Sequence, residues 1–179
     1  MLQGHPDKKG IPGVDMSAGS LGQGISAAAG MALSAKHIGD NYRVYSIIGD
    51  GESEEGQVWE AAMFAAHKNL SNLTVFVDLN GLQIDGTIDE VNSPLPLDKK
   101  FEAFNWNVIV IDGHDFDQIE SAVKAAEECK DKPTAIIANT VKGKDVSFME
   151  NAVGWHGSAP NAEQAEEALK ELDAKIAAL

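Results

Sequence analysis

The residues best suited to chemistry lie in the stretch "IIGDGESEEGQVWEAA", which begins at Ile47. An apolar run ends on Gly49-Asp50-Gly51, acids crowd in behind it at Glu52, Glu54 and Glu55, and a helical pattern follows. A second apolar run ends on Asp78-Leu79-Asn80-Gly81. The Asp50 carboxylate and the Asn80 amide oxygen make a hard-oxygen pair suited to Mg²⁺ or Ca²⁺, and Mg²⁺ held by so few protein groups is completed by water and ligand phosphates. Gly51 has no side chain, so its N–H can approach a phosphate at the head of the following helix. Asp-Gly and Asn-Gly are also common turn pairs, and each taken alone reads first as a turn. The cation reading gains from their order: GDG after a strand, then a helix, a second strand and NG.

These residues need a scaffold that brings two strand ends together. "YRVYSIIG" (residues 42–49), "NLTVFVDLN" (72–80), "NVIVIDG" (107–113) and "TAIIANT" (134–140) are β-branched and apolar, as buried strands are. Between them run helical segments: residues 21–38, small-residue-rich; 54–69, with Val58, Ala61, Ala62 and Ala65 on one face; 115–130, with Asp115 as N-cap; and a final amphipathic helix over 161–179. Alternating strands and helices predict an α/β fold: a parallel sheet with helices on both faces, in one domain over residues 1–179. Ligands of such sheets sit at the carboxyl ends of the strands, where Asp50 and Asn80 fall. Residues 81–100 read as a long loop.

Composition narrows the function class. The 179 residues carry a net charge of −14, which argues against nucleic-acid or anionic-membrane partners. No apolar run approaches the roughly 18 residues that span a bilayer. The lone cysteine, Cys129, has no internal partner, and a reducing cytoplasm is the expected setting. The opening "MLQGHPDKKGIPGVD" has neither helix nor strand periodicity.

Several motifs in order, "GHPDKKGIPGVDMSAGSLGQGISAAAGMAL", "GDGESEEGQVWEAA", "LNGLQIDG", "FEAFNWNVIVIDGHDF" and "KPTAIIANTVKGKDVSFMENAVGWHG", resemble the amino-terminal, diphosphate-binding domain of transketolases. The likeness is strongest to the split form, in which separate genes encode the two halves, and it runs over nearly the whole chain. It implies the thiamine diphosphate-binding fold, with thiamine diphosphate and Mg²⁺ (or Ca²⁺) as cofactors.

By this resemblance Asp50 and Asn80 bind the cation, and Leu82 adds its backbone carbonyl. Gly51 N–H and His156 contact the diphosphate. Gly19, Leu21 and Gly22 line the aminopyrimidine and thiazolium, with Leu82 and Ile84 as apolar neighbours. His5 points at the sugar substrate, and His156 is placed to help there. Glu55 and Glu60 match interface glutamates that share protons between active sites, as closely paired carboxylates can. Without the resemblance, His5 and His156 read as loop histidines, and Glu55 and Glu60 as an acidic helix face. Glu52 and Glu54 read as a solvated helix start, where negative charge suits the dipole.

The resemblance also implies a two-carbon ketol transfer between sugar phosphates and a C-terminal, pyrimidine-binding partner subunit that supplies the glutamate facing the aminopyrimidine. The lone chain is then expected to be inactive, and the assembly to be a homodimer or heterotetramer, with the helix around Val58, Trp59 and Met63 at an interface. The chain lacks an upstream stretch that relatives carry, so it reads as shortened at its N-terminus. Asp145 stands where the family pattern has glycine, and at positive φ an aspartate is tolerated better than most residues. Two alternatives remain: a non-catalytic thiamine diphosphate-binding module, or another enzyme of the class such as a deoxyxylulose-phosphate synthase relative.

Overall fold

A computed structural model describes residues 4–178. In chain order it contains α1 (Gln23–Ile38), β1 (Val44–Gly49), α2 (Gly56–His67), β2 (Leu73–Leu79), β3 (Leu82–Gln83), β4 (Gly86–Thr87), α3 (Ile88–Val91), α4 (Leu97–Ala103), β5 (Asn107–Asp112), α5 (Phe116–Glu128), β6 (Thr134–Asn139) and α6 (Ala162–Ile176). The main sheet has the order β1-β2-β6-β5, every pairing parallel. Its register sets Gly49 opposite Asp78 and Asp78 opposite Ala138, so the carboxyl ends of three strands are flush.

Alternation along the strands sorts side chains between two layers. On one face Ile48, Val75, Val77, Ala135 and Ile137 pack under α1, α2 and α4. The contact between α1 and α2 is built from alanines, Ala28, Ala29 and Ala32 against Ala61, Ala62 and Ala65, which allow close approach. Phe101 anchors α4, its ring centroid 5.2 Å from those of both Trp59 and Trp106. On the other face α5 covers Ile111, Ile136 and Ala138 with Ala122. This second cover is centred on β5 and β6, with Phe76 of β2 packed at its margin. At β1, Tyr45 and Ile47 stay 46% and 76% exposed.

Residues 81–100 are not the expected loop. Leu82 pairs with Thr87 in the β3–β4 hairpin. Thr87 then caps α3, exchanging hydrogen bonds with Glu90, and Ile88 and Leu97 are buried. Each element is too short to show a period in the sequence, which is why the stretch looked structureless. The expected interface patch also changes. Val58 is fully buried and Trp59 packs on Phe101 and Phe104, because both lie on the inward side of α2; Met63, on its outer side, is 52% exposed. No helix among the described residues is long and apolar enough to cross a membrane.

Candidate functional site

The loops after β1 and β2 close on Asp50, which is 1% exposed. Its Oδ1 accepts from Gly51 N–H at 2.7 Å and its Oδ2 from Gly81 N–H at 2.6 Å. The Asp50 N–H donates to the Asp78 carbonyl at 3.1 Å, and the Ser53 hydroxyl donates to the Asp50 carbonyl at 2.5 Å. Burial pushes the Asp50 carboxyl above its ordinary value; the backbone donors oppose this, and the charge of Asp78 adds to it. Among the described residues no Lys, Arg or His pairs with Asp50. A buried carboxylate at a strand end, without a protein counter-charge, is what a cation site needs.

Asn80 is brought beside Asp50, as the spacing required, since the N–H of the next residue, Gly81, donates to the carboxylate. Its side-chain oxygen, however, accepts from Leu82 N–H at 3.1 Å. Among the described residues no group of three His, Cys, Asp or Glu side chains could hold a metal. The donor set therefore fits a cation completed by ligand phosphates and water, and does not fit an all-protein cage.

The acids after Gly51 are not a solvated helix start. Gly51–Glu54 forms a 3₁₀ turn, and at three residues per turn Glu52 and Glu54 point to different sides. Glu52 accepts from Gly22 N–H at 2.8 Å and from Gly49 N–H at 3.3 Å. Glu54 accepts from the Gln83 and Asn92 side-chain amides at 2.8 and 3.2 Å. Glu55 and Glu60 are exposed.

Of the expected ring-lining residues, Gly22 lies against this turn. Gly22 begins α1 at φ 77°, and a Cβ there would come within 3.0 Å of the Glu55 Cβ. Gly19, at φ 147°, lies against the His5 ring, 3.3 Å from where its Cβ would stand. Leu21 and Ile84 are 55% and 67% exposed, while Leu82 is buried. His5 thus joins the 19–22 turn. His156 follows a 3₁₀ turn (Val153–Trp155) and is exposed; among the described residues no hydrogen bond joins its side chain to the Asp50 cluster. Its loop is pinned by Trp155, whose indole N–H donates to the Phe148 carbonyl at 2.9 Å.

Sequence reasoning missed several residues of this rim. Asp78 accepts a hydrogen bond from the Thr140 hydroxyl, which ties β2 to β6 beside the buried carboxylate. His114 Nε2 accepts from Val141 N–H at 2.8 Å. Strand-end position was the available signal for both, since each follows an apolar run at its carboxyl end.

The chain matches the family described as "Transketolase, thiamine diphosphate binding domain" over residues 1–176. It is 47% identical over 173 residues to the 6-deoxy-6-sulfo-D-fructose transketolase subunit SqwG of Clostridium sp. (strain MSTE9), covering 97% of this chain and 63% of that relative. It is 39% identical over 176 residues to one of the subunits of the apulose-4-phosphate transketolase of Phocaeicola vulgatus, covering 98% of this chain and 62% of the relative. The chain therefore spans a little under two-thirds of these curated relatives. Among solved structures, transketolase from Campylobacter jejuni superposes with a TM-score of 0.83 at 30% identity, covering 89% of this chain and 26% of that one. Transketolase from Pichia stipitis in complex with sedoheptulose-7-phosphate gives 0.85 at 26% identity, over 93% of this chain and 26% of that one. With its sheet, its strand-end carboxylate and these matches in agreement, the chain belongs to the transketolase family, as its thiamine diphosphate-binding domain.

Proposed function

We propose that the chain, as a single domain, is the cofactor-binding subunit of a two-chain transketolase that moves a two-carbon ketol unit between sugar phosphates. The observation that carries this reading is Asp50: a carboxylate 1% exposed, at the end of β1, with backbone donors around it and no cationic side chain. Asp50, Asn80 and the Leu82 carbonyl hold Mg²⁺ or Ca²⁺. Gly51 N–H and His156 hold the diphosphate. Gly19, Leu21, Gly22, Leu82 and Ile84 bed the rings. When bound, thiamine diphosphate would supply an acidic thiazolium carbon as the nucleophile toward a ketose carbonyl. The chain's own residues bind and orient: the cation neutralises the diphosphate, and His5, packed on Gly19, presents its imidazole beside the ring-lining turn as a donor to a sugar oxygen.

The names of the Clostridium and Phocaeicola relatives, both transketolase subunits, support a partner chain. That partner is a C-terminal, pyrimidine-binding subunit, in a heterotetramer or about a homodimer of this chain, with Glu55 and Glu60 at the boundary between chains. Calorimetry tests the reading. Thiamine diphosphate should bind this chain saturably only with Mg²⁺ present, and Asp50→Ala should abolish that binding while far-UV circular dichroism is unchanged. Binding by Asp50→Ala with the wild-type Mg²⁺ dependence would refute the assignment. Asn80→Ala should weaken binding less, since a neutral amide interacts less with a dication than a carboxylate does.

A further inference from the structure

Helix α1 starts without the usual means of satisfying its first amides. Its N-cap is Gly22, which has no side chain, and its first turn contains no acid. Gly22 cannot be replaced by a capping residue, because φ is 77° and a Cβ would meet Glu55 at 3.0 Å. A carboxylate arrives instead from thirty residues away. Glu52 accepts from Gly22 N–H through Oε1 at 2.8 Å and from Gly49 N–H through Oε2 at 3.3 Å. One planar group thereby spans two segments that have no covalent reason to stay in register: the 19–22 turn and the end of β1. Negative charge at the head of α1 also suits the helix dipole.

We propose that Glu52 is a positioning residue, a strut that fixes the 19–22 turn, which receives the cofactor's rings, at a set distance from the β1 end, which receives its diphosphate and cation. The proposal rests on the cofactor reading above. A cofactor that touches both segments is bound well only if their spacing is held before it arrives. Glu54, facing the other way, ties the same 3₁₀ turn to Gln83 and Asn92, on the far side of the metal loop. Glu52 therefore joins the two halves of the site, while Glu54 braces the far side of the metal loop.

Two ligands separate the halves. Thiamine diphosphate with Mg²⁺ engages both, and inorganic pyrophosphate with Mg²⁺ engages only the diphosphate and cation half. In the full chain, Glu52→Ala should weaken thiamine diphosphate binding about tenfold, the scale of a lost charge-assisted hydrogen bond, with pyrophosphate binding unchanged. Equal loss for both ligands, or no loss for either, overturns the proposal. If Glu52→Ala does not fold, Glu52→Gln decides. Its amide keeps one acceptor oxygen but turns an NH₂ toward the second backbone N–H, so the thiamine diphosphate loss should be smaller and still selective. Wild-type affinity in Glu52→Gln overturns the proposal. Amide exchange in the ligand-free protein gives a readout independent of the cofactor: Gly22 or Gly49 should exchange faster in either variant than in wild type, and unchanged rates at both overturn the strut. If the wild-type chain binds neither ligand, the cofactor reading fails while the exchange measurement still judges Glu52.

Discussion

A carboxylate as buried as that of Asp50 has a definite pH signature. Burial raises its folded-state pKa above the ordinary 3.8, so the folded chain holds this proton more tightly than the unfolded one. Across the window from 3.8 up to the raised value, stability falls as pH rises, and above it the uncompensated charge remains until a cation arrives. Protons and Mg²⁺ compete for the same oxygens. The rise in melting temperature on adding saturating Mg²⁺ should therefore be larger at about pH 7.5 than at about pH 5. Equal shifts at both would separate the cation from Asp50. The residue stood out in the sequence because its GDG, a turn signal when taken alone, ends one strand and is followed by a helix, a second strand and NG. Glu52 and Glu54 were not legible. In sequence they are two more acids before a helix, and only the pitch of a 3₁₀ turn sends one toward Gly22 and the other toward Gln83.

Elements with their own signals were read well. Asp115 caps α5 through Asp117 and Gln118 N–H, and the four main strands fall where the β-branched runs are. Asn161 caps α6 in a reciprocal exchange with Gln164. The 81–100 stretch was not legible, since its hairpin and short helices depend on burial of Ile88 and Leu97, which no local pattern announces. The loop from β6 to α6 offers two tests of its backbone. Gly143, at φ 74°, would put a Cβ 2.5 Å from the Met149 carbonyl oxygen, so Gly143→Ala should cost about 1–3 kcal/mol, seen as a lowered denaturation midpoint in urea. Asp145 does adopt the positive φ expected at its glycine-like position, 72°. The hydrogen bond from Lys175 holds its carboxyl below the usual range. Asp145→Gly relieves the backbone and removes an exposed ion pair, two small and opposed effects, and should leave the urea midpoint close to wild type.

At the scale of the molecule, β1 is an edge strand whose outer face is bare at Tyr45 and Ile47. Open edges with apolar side chains favour self-association. Ile47→Lys should reduce light scattering of concentrated solutions, with thermal stability close to wild type because Ile47 is 76% exposed. On the proposed two-chain reading, activity belongs to more than this chain. Assayed alone with hydroxypyruvate and an aldehyde at saturating Mg²⁺ and thiamine diphosphate, it should show no useful ketol transfer. On that reading the partner supplies the general base and the cover over the cofactor, each a large effect, the first worth about 10²–10⁴-fold. Adding a pyrimidine-binding chain should restore turnover, and His5→Ala should then lower it at nearly constant cofactor affinity. Robust turnover by the lone chain would require a base among these residues and would end the two-chain reading. The expectation of a second chain comes from the family resemblance alone; no composition or period in the sequence states it.

Helix α6 buries none of its residues. Among the described residues its outward side-chain hydrogen bonds are those from Ser147 to Glu171 and from Lys175 to Asp145, all at exposed positions. A helix moored this way is sensitive to ionic strength, since exposed ion pairs weaken once the Debye length shrinks to a few ångströms. In concentrated salt it should lift off as a unit while the sheet and its alanine-lined helices stay folded. On the proposed assignment of His156 to the diphosphate, the segment from Gly143 to His156 links that mooring to the cofactor, so salt becomes a handle on that side of the site and leaves the buried Asp50 carboxylate untouched.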